Sequence, residues 1–307
     1  MAKDNNSDDE KLIQYKIGLK TTHARHDSAH CLAPGLFRSL KKGDREKQKL
    51  HVIYKFGDKE LIEFKGPEPL GAEDLVVLQG LIAMAGTKKL FLTKEAKKEN
   101  AKQLLNGLEL KWDAIEEYSS VVESSFRKLA KEIGYDPDSG GDLKTIAKSI
   151  ERLWTVSIIV QSNSTRKGYK MLSAYGSNDK SGKLLIALNC RVASAIFGQR
   201  PHTRINMDEV RHLKSGPARI LHQRLSAIIS PGQSKKILPE TLISYIWPDT
   251  AEGSTMRTRK QMLKKFLTEI VSTKFWQVSD DFKISRKGEF KKNPSKNNKL
   301  TRLSKQK

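Results

Sequence analysis

The stretch Gly253-Ser-Thr-Met-Arg-Thr-Arg-Lys-Gln-Met-Leu-Lys-Lys-Phe-Leu-Thr-Glu-Ile-Val271, followed by Trp276-Gln-Val278 and Phe282-Lys-Ile284, decides how the chain is read. Ser254 or Thr255 suits a helix N-cap, since a side-chain oxygen can accept from a backbone N–H of the first turn. Met256, Leu263, Phe266, Leu267 and Ile270 recur at helical spacing and form an apolar stripe. Arg257, Gln261, Lys264 and Lys265 fall on the opposite face, with Thr258, Arg259 and Lys260 at its edges. The one acid, Glu269, lies near the C-terminal end. Upstream, Pro239 to Ile246 spells a short helix with proline in the first turn, where its missing N–H has no partner to lose. Trp247-Pro248 ends it, and a turn containing Gly253 follows. Helix, turn, basic amphipathic helix, strand, strand is the order of a winged helix-turn-helix, whose second helix lies in the DNA major groove.

The same grammar occurs earlier. Phe126, Leu129, Ala130 and Ile133 share a helical face, Gly134 follows, and the turn-rich Asp136 to Gly141 leads to Asp142 as an expected cap. Leu143, Ile146, Ala147, Ile150 and Leu153 make the buried stripe of the next helix, with Lys144, Thr145, Lys148, Ser149 and Arg152 outside it. Thr155 to Val160 reads as a strand, Ser164 to Gly168 as a basic loop, and Tyr169 to Tyr175 as a second strand. The repeat is one of architecture, not of letters. The expected fold is α+β and helix-rich: two tandem winged helix-turn-helix domains with small antiparallel β-hairpins.

Outside these units, residues 1–20 read as a mobile arm and 288–307, rich in Lys, Asn and Ser, as a disordered basic tail. Between them, residues 21–188 are expected to form the N-terminal winged-helix domain and 189–287 the C-terminal one. Leu36 to Leu40 suggests a short helix, Leu50 to Phe56 with Glu60 to Phe64 a hairpin, and Ala72 to Met84 a core helix apolar nearly all round. Thr93 to Leu105 reads as a solvated, lysine-rich segment. Lys183 to Leu188 is the return strand of a hairpin ending in Gly176 to Gly182, and Asn189 to His202 a bridging helix. Pro217 to Ile229 is an amphipathic helix.

The 307-residue chain carries a formal net charge of +22, which points to an anionic partner; Lys and Arg that neutralise phosphates release condensed counterions. No apolar run of about 18 residues is present, so no membrane span is expected. The polar, acidic N-terminus lacks a signal-peptide pattern, and Cys31 and Cys190 fit a reducing compartment, so the expected location is cytoplasmic. His23, His26, His30 and Cys31 lack a second half-site for zinc, and no metal or other cofactor is expected. Gly176 to Lys183 has the wrong spacing for a phosphate-binding loop, and Leu184 stands where a magnesium-binding hydroxyl belongs. No hydrolase elbow, zincin motif or His-hydrophobe-His pair appears, so no enzymatic activity is expected.

Several stretches resemble the RepC replication initiators of IncQ-type plasmids. They are His26-Asp-Ser-Ala-His-Cys-Leu-Ala-Pro-Gly-Leu-Phe-Arg38, Gly66-Pro-Glu-Pro-Leu-Gly-Ala-Glu-Asp-Leu75, Leu129-Ala-Lys-Glu-Ile-Gly134 and Asp138-Ser-Gly-Gly141. The likeness continues through Ile150-Glu-Arg-Leu-Trp154, Ile205-Asn-Met-Asp-Glu-Val-Arg211, Leu221-His-Gln-Arg-Leu225, Trp247-Pro248 and Gly253-Ser-Thr-Met-Arg257, spanning about residues 23 to 285. It implies a bacterial, plasmid-associated initiator that binds directly repeated origin sequences (iterons) in double-stranded DNA. Such a protein helps to open an adjacent AT-rich segment and recruits a plasmid-encoded helicase and primase, as a possible homodimer or cooperative assembly. A transcriptional regulator without melting activity and a DNA-processing enzyme are the competing readings.

On this reading Arg257, Thr258, Gln261 and Lys264 face base edges, since Arg suits guanine O6/N7 and Gln adenine N6/N7. Arg259, Lys260 and Lys265 are expected phosphate contacts. Lys144, Thr145, Lys148, Ser149 and Arg152 are the parallel set in the first domain. Arg166, Lys167, Arg286 and Lys287 are the expected wing residues.

Overall fold

A computed structural model describes residues 21–88, 91–92, 119–178 and 181–288 of the chain. The expected arm, the lysine-rich segment at 93–105 and all of the tail but Gly288 lie outside the described residues. In chain order the elements are β1 (His23–Asp27), α1 (Ser28–Leu32), α2 (Asp44–Lys47), β2 (Leu50–Phe56), β3 (Glu60–Gly66), α3 (Ala72–Lys88) and β4 (Phe91–Leu92). Next come β5 (Ser119–Ser125), α4 (Phe126–Ile133), α5 (Gly140–Thr155), β6 (Ser157–Ser162), β7 (Thr165–Lys170), β8 (Leu172–Asn178), β9 (Lys183–Leu188) and α6 (Cys190–Ile196). The last are β10 (His202–Asn206), α7 (Met207–His212), α8 (Gly216–Ile228), β11 (Ser234–Lys236), α9 (Pro239–Ile246), α10 (Gly253–Ser272), β12 (Trp276–Val278) and β13 (Lys283–Arg286).

Two three-helix units carry the architecture. In the first, α3, α4 and α5 each pack against the other two; in the second, α8, α9 and α10 do the same. Small antiparallel sheets complete them: β2-β3-β6-β7 and β4-β5-β9-β8 in the first unit, β11-β13-β12 in the second. These are the winged-helix units expected from the sequence.

Helix α3 is the hub of the first unit. Its apolar residues face inward on all sides, with Leu75, Val76, Leu78, Leu81 and Ile82 buried. Asp74 in its first turn accepts from the Gly71 N–H at 2.8 Å. Gly80 lets α4 cross at close range, since a Cβ there would overlap Ile133 and Leu129. The α4 helix ends on Gly134, whose φ of 79° suits a residue without a Cβ.

Several local expectations are corrected. Leu36–Leu40 is not a helix; Phe37 forms a parallel bridge with Leu70, and the nearby helix is α1, capped by Asp27, which accepts from Ala29 N at 2.7 Å. Ser139, not Asp142, caps α5, its Oγ accepting from Asp142 N at 3.3 Å, while the Asp142 carboxylate takes the Asp136 N–H at 2.9 Å. The basic segment 164–168 is mostly strand β7, and the turn lies before it at Asn163, where φ is 50°. The run 169–175 divides at Met171, because β7 pairs with β6 and β8 with β9. The bridging helix stops at Ile196, and Gly198, with φ of 76°, turns the chain into β10. Strand β5, before α4, has no counterpart in the sequence reading.

The apolar interior divides into two clusters. The first includes Val192, Ile196, Ile205, Met207, Val210 and Ile220, all beyond the 188/189 division expected from the sequence. The second is built from α8, α9, α10 and the C-terminal strands, with Trp276, Leu263 and Ile270 buried. Polar contacts fasten the units together: Ser39 N donates to Ile246 O at 2.9 Å, and Arg219 Nη1 of α8 to the Tyr135 hydroxyl at 3.3 Å. No helix among the described residues is long and apolar enough to cross a membrane.

Candidate nucleic-acid interface

Helix α10 buries Leu263, Phe266, Leu267 and Ile270 in the second core and turns its other side to solvent. At 100° per residue the buried stripe lies diametrically opposite Gln261, and Arg257, Lys264, Lys265 and Thr268 flank Gln261 on the open face. All five are exposed. Arg257, Lys264 and Lys265 have no ion-pair partner among the described residues, and no acid interrupts the face before Glu269. The Glu269 carboxylate is itself engaged, accepting from Ser215 N at 2.9 Å and Ser215 Oγ at 2.5 Å. It thereby caps α8, whose own Ser215 makes no side-chain cap. What remains is an uninterrupted cationic and amide-bearing surface.

Not every expected residue belongs to that surface. Helix α10 begins at Gly253 with Glu252 at the cap position, so neither Ser254 nor Thr255 caps it. Thr258 is exposed and returns its hydroxyl to Ser254 O at 3.1 Å. Lys260 leans back to Glu240 on α9, with Nζ 2.6 Å from Oε1. Arg259 is only 5% exposed. It donates to Asp249 O at 2.9 Å and to Asp249 Oδ2 at 2.5 Å, and its guanidinium sits 5.2 Å from the Trp247 ring centroid. It is withdrawn as a phosphate contact because its donors are committed inside the turn between α9 and α10.

The corresponding surface of α5 is thinner. Lys144 and Lys148 are exposed, Thr145 donates to Gly141 O at 2.9 Å, and Glu151 shares the open face. Ser149 is fully buried and Arg152 turns inward, so both leave the candidate set. Arg152 donates to Asp74 Oδ1 at 2.8 Å and to Ser149 Oγ at 3.0 Å. Asp74, also fully buried, is shared with Arg45. The reason is local: α5 lies against the N-terminal turn of α3, and that carboxylate needs cations.

The wings differ from expectation in both units. Arg166 and Lys167 are exposed, on strand β7 and not in a loop, and Arg166 lies 4.0 Å from Glu63. The turn between β12 and β13 carries Asp280 and Asp281 and is acidic. Arg286 is buried; it donates to Ser226 O and Ile229 O, both at 3.4 Å, and lies 5.2 Å from the Trp276 ring centroid. It therefore also leaves the set, while Lys287 stays exposed. Lys235 and Lys236 were missed. They sit on β11, which pairs with β13 and exposes both lysines beside Lys283. Their sequence signal was the Ser234-Lys-Lys236 run, too short to read as a strand without its partner.

The histidine-rich segment is interior. His26 and His30 are buried, their rings edge to face at 5.8 Å, and His30 meets Phe64 at 5.4 Å. Burial, together with the neighbouring His30, pushes His26 down to about 3. Burial likewise pushes His30 down to about 4. Among the described residues no three His, Cys, Asp or Glu side chains are placed to hold a metal ion.

The sequence model of a family described as Replication protein C (RepC) matches residues 18–291. No curated protein matches the chain significantly. Among solved structures, the chain is similar to a crystal structure of domains 2 and 3 of RctB, with a TM-score of 0.51, 9% identity, and coverage of 83% of this chain and 88% of that one. A second structure of RctB domains 2-3 gives a TM-score of 0.49 at 10% identity, covering 80% and 81%. The Pi initiator protein, crystallised in complex with iteron DNA, gives 0.45 at 12% identity, covering 87% and 96%. At 9% identity the likeness to the first of these structures is one of fold.

Proposed function

The chain belongs to the replication protein C family, and from that premise we propose that it initiates plasmid replication by binding directly repeated origin sequences in double-stranded DNA. The observation that carries this reading is the open face of α10. A helix backed by a packed core presents Arg257, Gln261, Lys264 and Lys265 without an intervening acid. Arg257 and Gln261 have the chemistry to read guanine and adenine edges, and Lys265 that of a phosphate contact. Helix α5, through Lys144, Thr145 and Lys148, serves as a second and less specific reader. Two recognition helices about one DNA turn apart reach successive major grooves on one face. Arg166, Lys167, Lys235, Lys236, Lys283 and Lys287 hold the backbone on either side.

The test is a fluorescence-anisotropy titration on a duplex carrying the origin repeat, against a scrambled duplex, at two salt concentrations. The expected preference is about a thousandfold, with affinity falling steeply in salt. Arg257→Ala is expected to lose about 1–3 kcal/mol with relaxed specificity, and Lys265→Ala less, equally on both duplexes. Indistinguishable, sequence-blind losses from the two substitutions would reject the assigned face. Equal wild-type affinity for the two duplexes would reject sequence recognition itself.

Opening of the adjacent AT-rich segment follows in this reading from binding energy alone, without catalysis or a cofactor. Several protomers bound in series can offset DNA bending and unstacking, each of which costs a few kcal/mol. Permanganate reactivity of thymines beside the repeats is expected to appear at saturating protein. Unreactive thymines there would leave a regulator that binds without melting. Plasmid-encoded helicase and primase are the proposed recipients of the opened strand.

A further inference from the structure

Helix α10 exposes one large apolar side chain. Met262 is 37% exposed and, among the described residues, belongs to neither apolar cluster. It falls about 100° round the helix from Gln261, with Thr258 about 60° and Lys265 about 40° round on the same side. Met262 and Thr258 are four residues apart, so they are neighbours on the helix surface. The rest of the open face, Ser254, Arg257, Gln261, Lys264, Lys265 and Thr268, is polar or charged. Single exposed apolar residues are ordinary on protein surfaces. What gives this one a role is its place on the edge of that face.

Thr258 extends the apolar edge. Its hydroxyl donates to Ser254 O at 3.1 Å, which commits the one proton it has. Donation to a base edge would have to break that bond, whereas contact through the methyl group would not. The Thr258 methyl and the Met262 side chain thus make a short apolar strip along one flank of a polar face. The major groove holds few matches for such a strip. Base edges there present donors, acceptors and one apolar group, the C5-methyl of thymine. The phosphate walls are anionic and favour cations such as Lys265 instead. Methionine is unbranched and polarisable, with three rotatable bonds, so it can reach from the flank of a helix to a methyl group.

We propose that Met262, with the Thr258 methyl beside it, reads thymine by packing on its C5-methyl group. This adds an apolar contact to the guanine and adenine edges assigned to Arg257 and Gln261. It also changes the part played by Thr258 from hydrogen bonding to methyl contact. The inference rests on α10 being the recognition helix. Four helical residues span about 6 Å, and successive bases on one strand lie about 3.4 Å apart, so the strip covers one or two adjacent thymines.

The experiment titrates the protein on the origin-repeat duplex with deoxyuridine replacing thymidine at one position at a time. Uracil pairs as thymine does and lacks only the methyl group. Burying one methyl is expected to give wild type about a fourfold preference for thymidine at one or two adjacent positions, and none elsewhere. The readout is the ratio of the two affinities within each protein, so a partly inactive preparation cancels. Met262→Gln keeps the length of the side chain but not its apolar character and should bring the ratio to about 1. Met262→Leu should keep the preference, and Thr258→Ser, which keeps the hydroxyl, should lower it. Lys265→Ala should weaken binding to both duplexes and leave the ratio alone. A wild-type ratio of about 1 at every thymine, or an effect spread evenly over many thymines, would overturn the proposal. So would a Met262→Gln protein with the wild-type ratio, a Met262→Leu protein without it, an unchanged ratio in Thr258→Ser, or a ratio abolished by Lys265→Ala. Equal wild-type affinity for the origin repeat and a scrambled duplex would instead overturn the recognition reading beneath it.

Discussion

Glu209→Ala is expected to destabilise the protein by about 3–5 kcal/mol, the range found when one partner of a buried charged network is removed. Glu209 is 1% exposed. Its Oε2 meets His222 Nε2 of α8 at 2.8 Å and accepts from Trp276 Nε1 of β12 at 2.5 Å. Burial alone pushes this carboxyl up, but the His222 ring beside it and the hydrogen bonds from His222 and Trp276 outweigh that and hold it below the usual carboxylate range. Glu209 lies on α7, whose Met207 and Val210 belong to the first core, whereas Trp276 anchors the second. Its removal strands two buried donors and loosens the wing strand from the rest of the molecule. Urea denaturation followed by tryptophan fluorescence measures the effect. Glu209→Gln keeps an acceptor and should lose less. A midpoint shift under about 1 kcal/mol for Glu209→Ala would show that the carboxylate does not tie the units together.

The second large effect is acid sensitivity. His26 and His30 titrate near 3 and 4 in the folded protein, below the 6.5 of an exposed imidazole, so the unfolded chain binds protons first as pH falls. Their contribution is complete above about pH 6.5 and is lost as pH falls from there toward 4. Each depressed histidine contributes a slope of about 1.4 kcal/mol per pH unit, hence about 2.7 while both titrate. Summed from pH 6.5 to 4, the two amount to about 7 kcal/mol, enough to unfold a domain toward the lower end of the ordinary range of about 5–15 kcal/mol. Urea midpoints at pH 7, 6 and 5 should fall progressively. His30→Leu should roughly halve the slope, and a flat profile between pH 7 and 5 would reject the assignment.

Where local pattern decides structure, the sequence was legible. Apolar periodicity and Pro239 placed α9 to the residue and the body of α10, whose start lies earlier than the expected cap at Ser254 or Thr255, and alternation placed β2 and β3. The β1–β10 ribbon was not legible, because nothing in His23–Asp27 names a partner at His202–Asn206. Helical phase correctly separated Arg257 and Gln261 from Leu263 and Phe266. It failed for Arg259 and Arg152, since phase says which way a side chain points but not whether Asp249 or Asp74 waits there. Arg286 failed for the same reason: an arginine at a strand end looks like a wing contact until backbone carbonyls and the Trp276 ring are found around it.

The inward turn of Arg259 also changes the thermodynamics of recognition. Fixing one backbone residue costs about 1–2 kcal/mol of conformational entropy, and a flexible reader incurs that loss when it meets its target. Here the guanidinium is bonded to Asp249 and stacked on Trp247 in the free protein, so the segment leading into α10 is already ordered. On the proposed reading, the inward Arg259 moves an entropic cost of association into the folding reaction and holds the backbone bearing Arg257 and Gln261 in place before any duplex is bound.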